Sequence, residues 1–412
     1  MEKVIAVIDM RAFYSFVECV DRGLNPYKTP LVVADKNRGT NTIVLSVSPY
    51  LKSLGIPSRL RIKELPKRDD YIYAIPRMER YLERSSFVMS IILDYISSED
   101  LHIYSIDECF LNLGPYLHMY NMSPYDLIKK IIDDINRQTK LECTCGIGDN
   151  MFLAKVALDI YAKKEKSGIA IIHQNDVKNK LWPIQPLSKV WGIGNQLEKR
   201  LNYFGMYTLK DVANANRLFM QTHFGIIGDD LVDHANGIDN SDIREKYIPK
   251  ETSLSQGQVL FKDYTKEEAK LIIKELMDDL LLRLRMENKL TSLISLYIGY
   301  SKAGSFSKQM TLLKPCDNND AIFEALMEIY SNVKNEPIRR ISISFSKLRS
   351  VYGFIQMDLF IDPNEEDKKR RLQYTIDAIQ NKYGKNSLLR ASALLENSTI
   401  KERHTFIGGH RR

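Results

Sequence analysis

The sequence predicts an α+β protein built from several domains. Three observations predict it. Over residues 1–170 the hydrophobic pattern runs strand, helix, hairpin, helix, strand, an order that closes into a ferredoxin-like sheet with helices on it. Over 251–355 it runs β-α-β-β-α-β, a second module of the same kind. Between them, 171–240 carries only short helical patterns. A chain of 412 residues is too long for one ordinary domain, and its length suggests two to four.

The elements follow in order. Val4-Ile5-Ala6-Val7-Ile8 is an unbroken run of β-formers and reads as a strand covered on both faces, ending at Asp9. From Phe13 to Val20 the pattern is helical, with Phe13, Phe16 and Val17 on one face. Leu31–Ala34 and 41–47 read as strands. A helix is expected over 80–99, with Tyr81, Val88, Ile91, Ile92 and Tyr95 apolar. His102–Ile106 and Cys109–Leu113 form a hairpin with Asp107 and Glu108 at its tight connection. Ser123 caps a helix with Pro124 at its first position, running to about Thr139 on a face of Leu127, Ile128, Ile131, Ile132 and Ile135. A strand over 141–148 leads into Gly146-Ile147-Gly148, read as a turn that opens the next helix.

Val190-Trp191-Gly192-Ile193-Gly194 has the form of a helix-hairpin-helix, and Gly225-Ile226-Ile227-Gly228 repeats it more weakly. Glycines there let backbone amides approach a phosphate, although tight helix turns need glycine anyway. The polar stretch 241–250 reads as a tether. Strands at 254–261, 291–300, 306–312 and 338–345 alternate with helices at 265–287 and 320–333. In the last strand Ile341, Ile343 and Phe345 face one way. Ser342, Ser344 and Ser346 face the other, beside Arg339, Arg340 and Lys347, giving a small, basic face suited to a phosphate backbone.

Charged residues at 27% and hydrophobic ones at 44% describe a globular protein. No apolar stretch reaches the length of a membrane span, and the N-terminal strand has no leader pattern. The five cysteines make no CxxC pair, which argues against zinc and for a reducing, cytoplasmic setting. The net charge of +7 permits a polyanionic partner without demanding one. Its distribution says more: Lys334–Arg349 holds five Lys/Arg against Glu336 alone. The tail, 361–412, holds 11 Lys/Arg against 7 Asp/Glu and reads as a charge run, Glu365–Arg371, then an amphipathic helix and a flexible end.

Two adjacent carboxylates between apolar strands are equally consistent with a solvated acidic turn. Asp9 changes the balance. If its strand lies beside the hairpin, three hard oxygen anions meet, a set suited to Mg²⁺ and to the two-metal clamp, about 4 Å between ions, used in phosphoryl transfer.

Asp9-Met10-Arg11-Ala12-Phe13-Tyr14-Ser15-Phe16-Val17-Glu18, followed by Tyr104-Ser105-Ile106-Asp107-Glu108-Cys109-Phe110, closely resembles the Y-family translesion DNA polymerases. The variant is similar to the UmuC-type branch of Gram-positive bacteria. The resemblance continues in order through most of the chain. It implies a right-hand polymerase: a ferredoxin-like palm (1–12 and 80–170), small fingers (13–79), a helical thumb with the helix-hairpin-helix (171–240), a linker (241–250) and a β-α-β-β-α-β little finger (251–355).

By that resemblance Asp9, Asp107 and the Met10 carbonyl hold the metal that binds the triphosphate. Asp9, Asp107 and Glu108 hold the metal that activates the primer 3′-hydroxyl. Two Mg²⁺ are implied, with Mn²⁺ as a substitute. Backbone amides at Phe13 and Tyr14, with Ser46, Lys52 and Lys163, take the phosphates, and Tyr14 is the steric gate against ribonucleotides. Lys52 stands where many members have arginine, and Pro49 where many have tyrosine, so one phosphate contact is absent or replaced. Gly192 and Gly194 of the thumb, and Arg339, Arg340, Ser342, Ser344 and Lys347 of the little finger, line the DNA. Gln356-Met357-Asp358-Leu359-Phe360 resembles a sliding-clamp-binding peptide, anchored by Gln356, Leu359 and Phe360. The implied partners are primer-template DNA, a dNTP, the bacterial clamp and an accessory SOS protein, with a monomeric enzyme associated with the nucleoid during repair. Low fidelity without proofreading is expected. The rival expectations are a catalytic subunit that needs a partner, a non-catalytic DNA- and clamp-binding scaffold, and a nucleotidyl cyclase, which would need neither thumb nor clamp peptide.

Overall fold

The structure is a computed structural model that describes residues 3–245, 248–249, 251–302, 304–352 and 363–412. It divides into two units, 1–247 and 248–412. The division falls inside the stretch expected as a tether.

In the first unit, β1 (Ile5–Met10) is the centre of a five-stranded sheet. The helix α1 (Phe13–Asp21) follows at once. Then come β2 (Leu31–Val33), β3 (Ser46–Val47), α2 (Pro49–Ser53) and β4 (Ile72–Ala74), which form a small separate sheet in the order β3-β2-β4. The expected strand over 41–47 is therefore real only at its end; its earlier residues make a single bridge, Ile43 to Arg61. The chain continues with α3 (Met78–Leu93), β5 (Leu101–Ile103), β6 (Glu108–Asn112), α4 (Gly114–Tyr120), α5 (Pro124–Thr139), β7 (Cys143–Gly148), α6 (Met151–Val156) and β8 (Ile169–Ile172). The large sheet runs β5-β6-β1-β7-β8, antiparallel except between β7 and β8.

The alternation of β1 divides its side chains as a doubly covered strand requires. Ala6, Ile8 and Met10 pack with α1, α3 and α5. Ile5 and Val7 pack on the other face with Phe110, Ala154, Leu158 and Ala162. The last three belong to α6 and to its π-helical continuation, Ala157–Ala162. Gly146 and Gly148, expected to open a turn, lie instead within β7. A Cβ at Gly146 would sit 2.1 Å from the Ala154 carbonyl oxygen, and one at Gly148 2.5 Å from the Ala154 nitrogen. These glycines exist so that the helix can lie directly on the strand. Asn150, whose side chain accepts from the Leu153 amide, is what starts α6.

Short helices α7 (Asn195–Tyr203), α8 (Leu209–Ala213), α9 (Arg217–Phe224) and α10 (Ile226–Ala235) complete the unit around Leu201, Leu209, Met220 and Val232.

The second unit has β9 (Leu254–Tyr264), α11 (Lys266–Met286), β10 (Lys289–Tyr300), β11 (Ser305–Cys316), α12 (Asn319–Ser331) and β12 (Ile338–Ser346). Its antiparallel sheet runs β11-β10-β12-β9, with α11 and α12 packed on one face through Ile273, Leu280, Ile294, Ile341, Ile343 and Phe345.

The tail corrects an expectation. Residues 363–412 are folded against α11 and β9, as α13 (Pro363–Tyr383), α14 (Ile400–Arg403) and a closing hairpin that pairs Phe406–Ile407 with His410–Arg411. The end expected to be flexible is thus a two-stranded turn, with the Phe406 ring against Phe261. The attachment is polar. Glu275 and Asp279 of α11 are buried, and the tail supplies their partners. Thr399 donates its amide to Glu275 at 3.2 Å, Arg403 Nε donates to Asp279 at 3.0 Å, and His404 Nε2 lies 2.8 Å from Asp279. Burial pushes the Asp279 pKa up, but His404 and Arg403 outweigh it and hold the carboxyl below its ordinary value. Arg285 and Asp377, both buried, make a second link.

Removing Arg403 leaves two buried carboxylates short of a cation, a change that costs about 3–5 kcal/mol. Urea unfolding of Arg403→Ala in the full chain is expected to lower the transition of the second unit alone. A midpoint equal to wild type would show that the tail is not a structural layer.

Candidate active site

Strand register builds the site. Asp9 pairs directly with Glu108 across β1 and β6. The Met10 amide donates to the Asp107 carbonyl at 2.8 Å, so Asp9 and Glu108 are a non-hydrogen-bonded pair, the kind whose side chains stand closest. Both side chains share the face of Val7 and Phe110. The connection is tight, with the Tyr104 and Ser105 amides both donating to the Glu108 carbonyl at 3.0 Å. Asp107 lies in this turn and its carboxylate accepts from the Ser105 hydroxyl at 2.7 Å. Among the described residues, no three His, Cys, Asp or Glu side chains are gathered closely enough to enclose a metal ion.

Like charges facing each other across two strands repel. Two lysines offset the repulsion. Lys155 of α6, buried, places Nζ 2.7 Å from Glu108 and 3.1 Å from Asp159. Lys163 places Nζ 2.9 Å from Asp9 and 2.9 Å from Asp159. Burial still dominates the acids. It pushes the Glu108 pKa up against the pull of Lys155, with Asp9 and Asp159 adding to the rise. It does the same for Asp9 against Lys163, with Asp107 adding. Each lysine, set between two carboxylates, overcomes its own burial and is held above its ordinary value.

Beside these carboxylates α1 begins. Its N-cap, Ala12, is in the left-handed region at φ 48°, and no side chain caps the helix. Tyr14 is half-buried, its ring 5.5 Å from Phe13 and 4.9 Å from Tyr81. Burial and the charge of Asp107 both push the Tyr14 hydroxyl's pKa up. Phe13 is buried, so only its backbone faces this end of the helix. Ser46 is also buried, its hydroxyl 3.0 Å from that of Ser15. Pro49 is the first residue of α2, capped by Ser48. The Lys52 pKa is lowered by burial and by Lys163 and Arg11, and raised in turn by Asp9 and Asp107, so Lys52 belongs to the same electrostatic neighbourhood.

Other residues of the site carry no family of their own in the sequence reading. Lys155 and Asp159 are the main omissions. Their signal was the i, i+4 spacing of Lys155, Asp159 and Lys163, which puts the three on one helical face. Glu18 is the other. It is fully buried, bound by both arms of Arg77 at 2.9 and 3.0 Å and by the Tyr81 hydroxyl at 2.6 Å.

Gly192 has φ 89°, Gly194 precedes α7, and nothing lies within 4 Å of where a Cβ would stand at either. In the second unit Ser342 and Ser344 lie on the sheet face opposite the helices. Ser344 bonds Ser295 across the ladder, and the Arg340 guanidinium stands 5.5 Å from the centre of the Tyr297 ring. Arg339 pairs with Asp263 at 3.2 Å, and Lys347 has φ 50°. Gln356, Leu359 and Phe360 lie outside the described residues.

Family models match in three segments. Residues 8–159 match the impB/mucB/samB family, 175–206 its helix-hairpin-helix motif, and 251–359 its C-terminal domain. The Bacillus subtilis protein UvrX, whose name marks it for UV-damage repair, is 35% identical over 99% of this chain and 98% of its own length. The chain belongs to the impB/mucB/samB family. A Bacillus subtilis relative named DNA polymerase IV 2 is 29% identical over 99% of both chains. Among solved structures, a Y-family DNA polymerase chimera of Dbh and Dpo4 superposes with a TM-score of 0.68 at 20% identity, covering 84% of this chain and 99% of that one. The fold of this impB/mucB/samB member is therefore that of a Y-family polymerase, α+β as the sequence predicted.

The raised acid pKa values carry a sign. A carboxyl whose folded pKa lies above its unfolded value contributes stability only below the unfolded pKa, near 4, and loses it as pH rises through the folded one. At neutral pH an ionised Asp9 is therefore a cost. Asp9→Asn is expected to melt a few degrees above wild type at pH 7, with the gap closing toward pH 4. A gap of constant size across that range, read by circular dichroism, would refute the assignment.

Proposed function

We propose that this chain is a template-directed DNA polymerase for translesion synthesis, which extends a primer 3′-hydroxyl from dNTPs at Asp9, Asp107 and Glu108. One observation carries the reading: Asp9 and Glu108 are direct cross-strand neighbours with Asp107 next to them, beside an uncapped helix start. The family membership and the relatives named for DNA polymerase IV and UV-damage repair agree with it.

The donor set fits a hard divalent cation. Three carboxylates and the Met10 carbonyl are all oxygen, the ligand type that Mg²⁺ takes, and the lysines now paired with Asp9 and Glu108 mark both as positions that attract a cation. Asp9, Asp107 and the Met10 carbonyl would hold one ion, and Asp9, Asp107 and Glu108 the other, with Mn²⁺ as a substitute. A cation held there would supply a lowered pKa at the primer hydroxyl and charge neutralisation at the phosphates. The chain's residues do the rest. The free amides at Phe13 and Tyr14 receive phosphate oxygens at a helix N-terminus. Lys52 and Lys163 add point charges, and Ser46, held by Ser15, a hydroxyl. Tyr14 closes the space beside the sugar. The fingers sheet has strands of only two and three residues, so the nascent pair is loosely enclosed, which tolerates damaged templates and lowers discrimination. Gly192 and Gly194, and the small, basic face of Arg339, Arg340, Ser342, Ser344 and Lys347, grip the DNA backbone without reading sequence. Gln356, Leu359 and Phe360 anchor the sliding clamp.

Primer extension by the purified chain with Mg²⁺ and four dNTPs is expected to proceed, and to fall by about 10²–10³-fold in Glu108→Ala, the scale of a lost transition-state contact. Equal extension by the mutant would end the reading. In the same assay, deleting 356–360 is expected to abolish stimulation by added clamp and spare basal extension.

Tyr14→Ala is expected to raise incorporation of ribonucleotides relative to deoxynucleotides by about 10²-fold, while the melting curve shifts little, since the ring is only half-buried. Unchanged sugar preference would mean that another group is the gate.

A further inference from the structure

Five charged groups of alternating sign contact one another in turn in the first unit: Glu108, Lys155, Asp159, Lys163 and Asp9. Asp159 is the middle group. One of its oxygens faces Lys155 at 3.1 Å and the other faces Lys163 at 2.9 Å. It lies on the π-helical turn Ala157–Ala162, four residues from each lysine, so all three share one helical face. The outer acids, Asp9 and Glu108, are the cross-strand pair of the site. Both lysines are thus bound twice, once to an acid of the site and once to Asp159.

We infer that Asp159 is a positioning residue, the carboxylate that keeps Lys155 and Lys163 when Asp9 and Glu108 turn to a divalent cation. The inference rests on the two-metal reading above. A cation arriving at Asp9 and Glu108 must displace two ammonium groups from them. Lys155 is buried, and an ammonium left there without a partner would be costly. Asp159 removes that obstacle, since each lysine can move wholly onto an oxygen it already touches. Lys163, the more exposed of the two, is then held by one carboxylate rather than two and can meet an incoming phosphate. The device needs no backbone movement, only a change in which of two partners each lysine favours. Without Asp159, the same lysines would be locked on the acids that the cation needs.

The test is Mn²⁺ binding to the full chain without DNA or nucleotide, read as loss of the free-ion signal in electron paramagnetic resonance at about 0.15 M salt, where distant charges are screened. Asp159→Asn keeps the shape and removes the charge. It is expected to weaken Mn²⁺ binding about tenfold, the scale seen when an outer partner of a metal site is lost. Repeated in a Lys155→Met, Lys163→Met background, the effect is expected to shrink below about twofold, because the two sites are then uncoupled. If Lys155→Met does not fold, Lys163→Met alone carries the cycle and should reduce the effect. Binding by Asp159→Asn within about twofold of wild type would overturn the positioning role. So would equal weakening with and without the lysines, which would make Asp159 a general negative charge. Absence of Mn²⁺ binding in the wild type would overturn the metal reading and the positioning role together.

Discussion

The cross-strand pairing of Asp9 with Glu108 is the constraint on which the first unit depends. Two carboxylates in a non-hydrogen-bonded pair stand close together and repel. A sheet can hold them only if cations are delivered to the same face. Here α6 and its π-helical continuation deliver Lys155 and Lys163, and they can do so only because that helix lies directly on β7. Gly146 and Gly148 provide the approach, since a side chain at either would overlap the helix backbone. A motif that reads as a turn in the sequence is thus a contact surface, and its purpose is electrostatic as much as steric.

The second unit meets the same problem in a different way. Glu275 and Asp279 of α11 are also buried acids, and the tail brings Arg403, His404 and Thr399 to them. The two clusters differ in what burial achieves. Asp279 ends below its ordinary pKa because its partners outweigh desolvation, whereas Asp9 and Glu108 end above theirs because desolvation wins. The first is a settled ion pair that fixes a layer. The second is under-compensated, the condition in which a carboxylate gains most from a stronger cation. Perturbed acids of this second kind gather at functional sites. The contrast lies within one chain: one cluster is an ion pair that fixes a layer, the other the under-compensated pair of the proposed site.

Much of this was legible from residues. The second unit was readable almost element by element, because long strands and helices with strict periods leave little choice: Ile341, Ile343 and Phe345 could only face a core. Asp107 and Glu108 were readable because acids on an apolar hairpin are conspicuous. Three things were not readable. The stretch 41–47 has β-formers but forms a strand only at Ser46 and Val47, with a single bridge at Ile43, since pairing is decided by the neighbouring strand rather than by propensity. Lys155 looked like any helical lysine, and its burial depends on how closely α6 lies on the sheet. The tail read as a charge run, a helix and a flexible end, yet its charges answer charges about a hundred residues earlier, as Arg403 answers Asp279. A pattern within a segment cannot reveal a partner that distant.

The ring proposed as the sugar gate shows how far such a partner can reach. Tyr14 rests edge-on against Tyr81, and the Tyr81 hydroxyl donates to Glu18. Glu18 lies one turn beyond Tyr14 on α1, is fully buried, and is bound by both arms of Arg77 at the start of α3. The ring is therefore braced by a neighbour that a half-buried ion pair fixes in place. An aromatic side chain on a small, short-stranded lobe would otherwise be free to swing. Here the loosely built part of the site is confined to β2, β3 and β4, while α1, which carries Tyr14, is tied to α3 by charge. In the proposed function, tolerance toward the base and strictness toward the sugar would then coexist, because Tyr14 and the short fingers strands are anchored by different interactions.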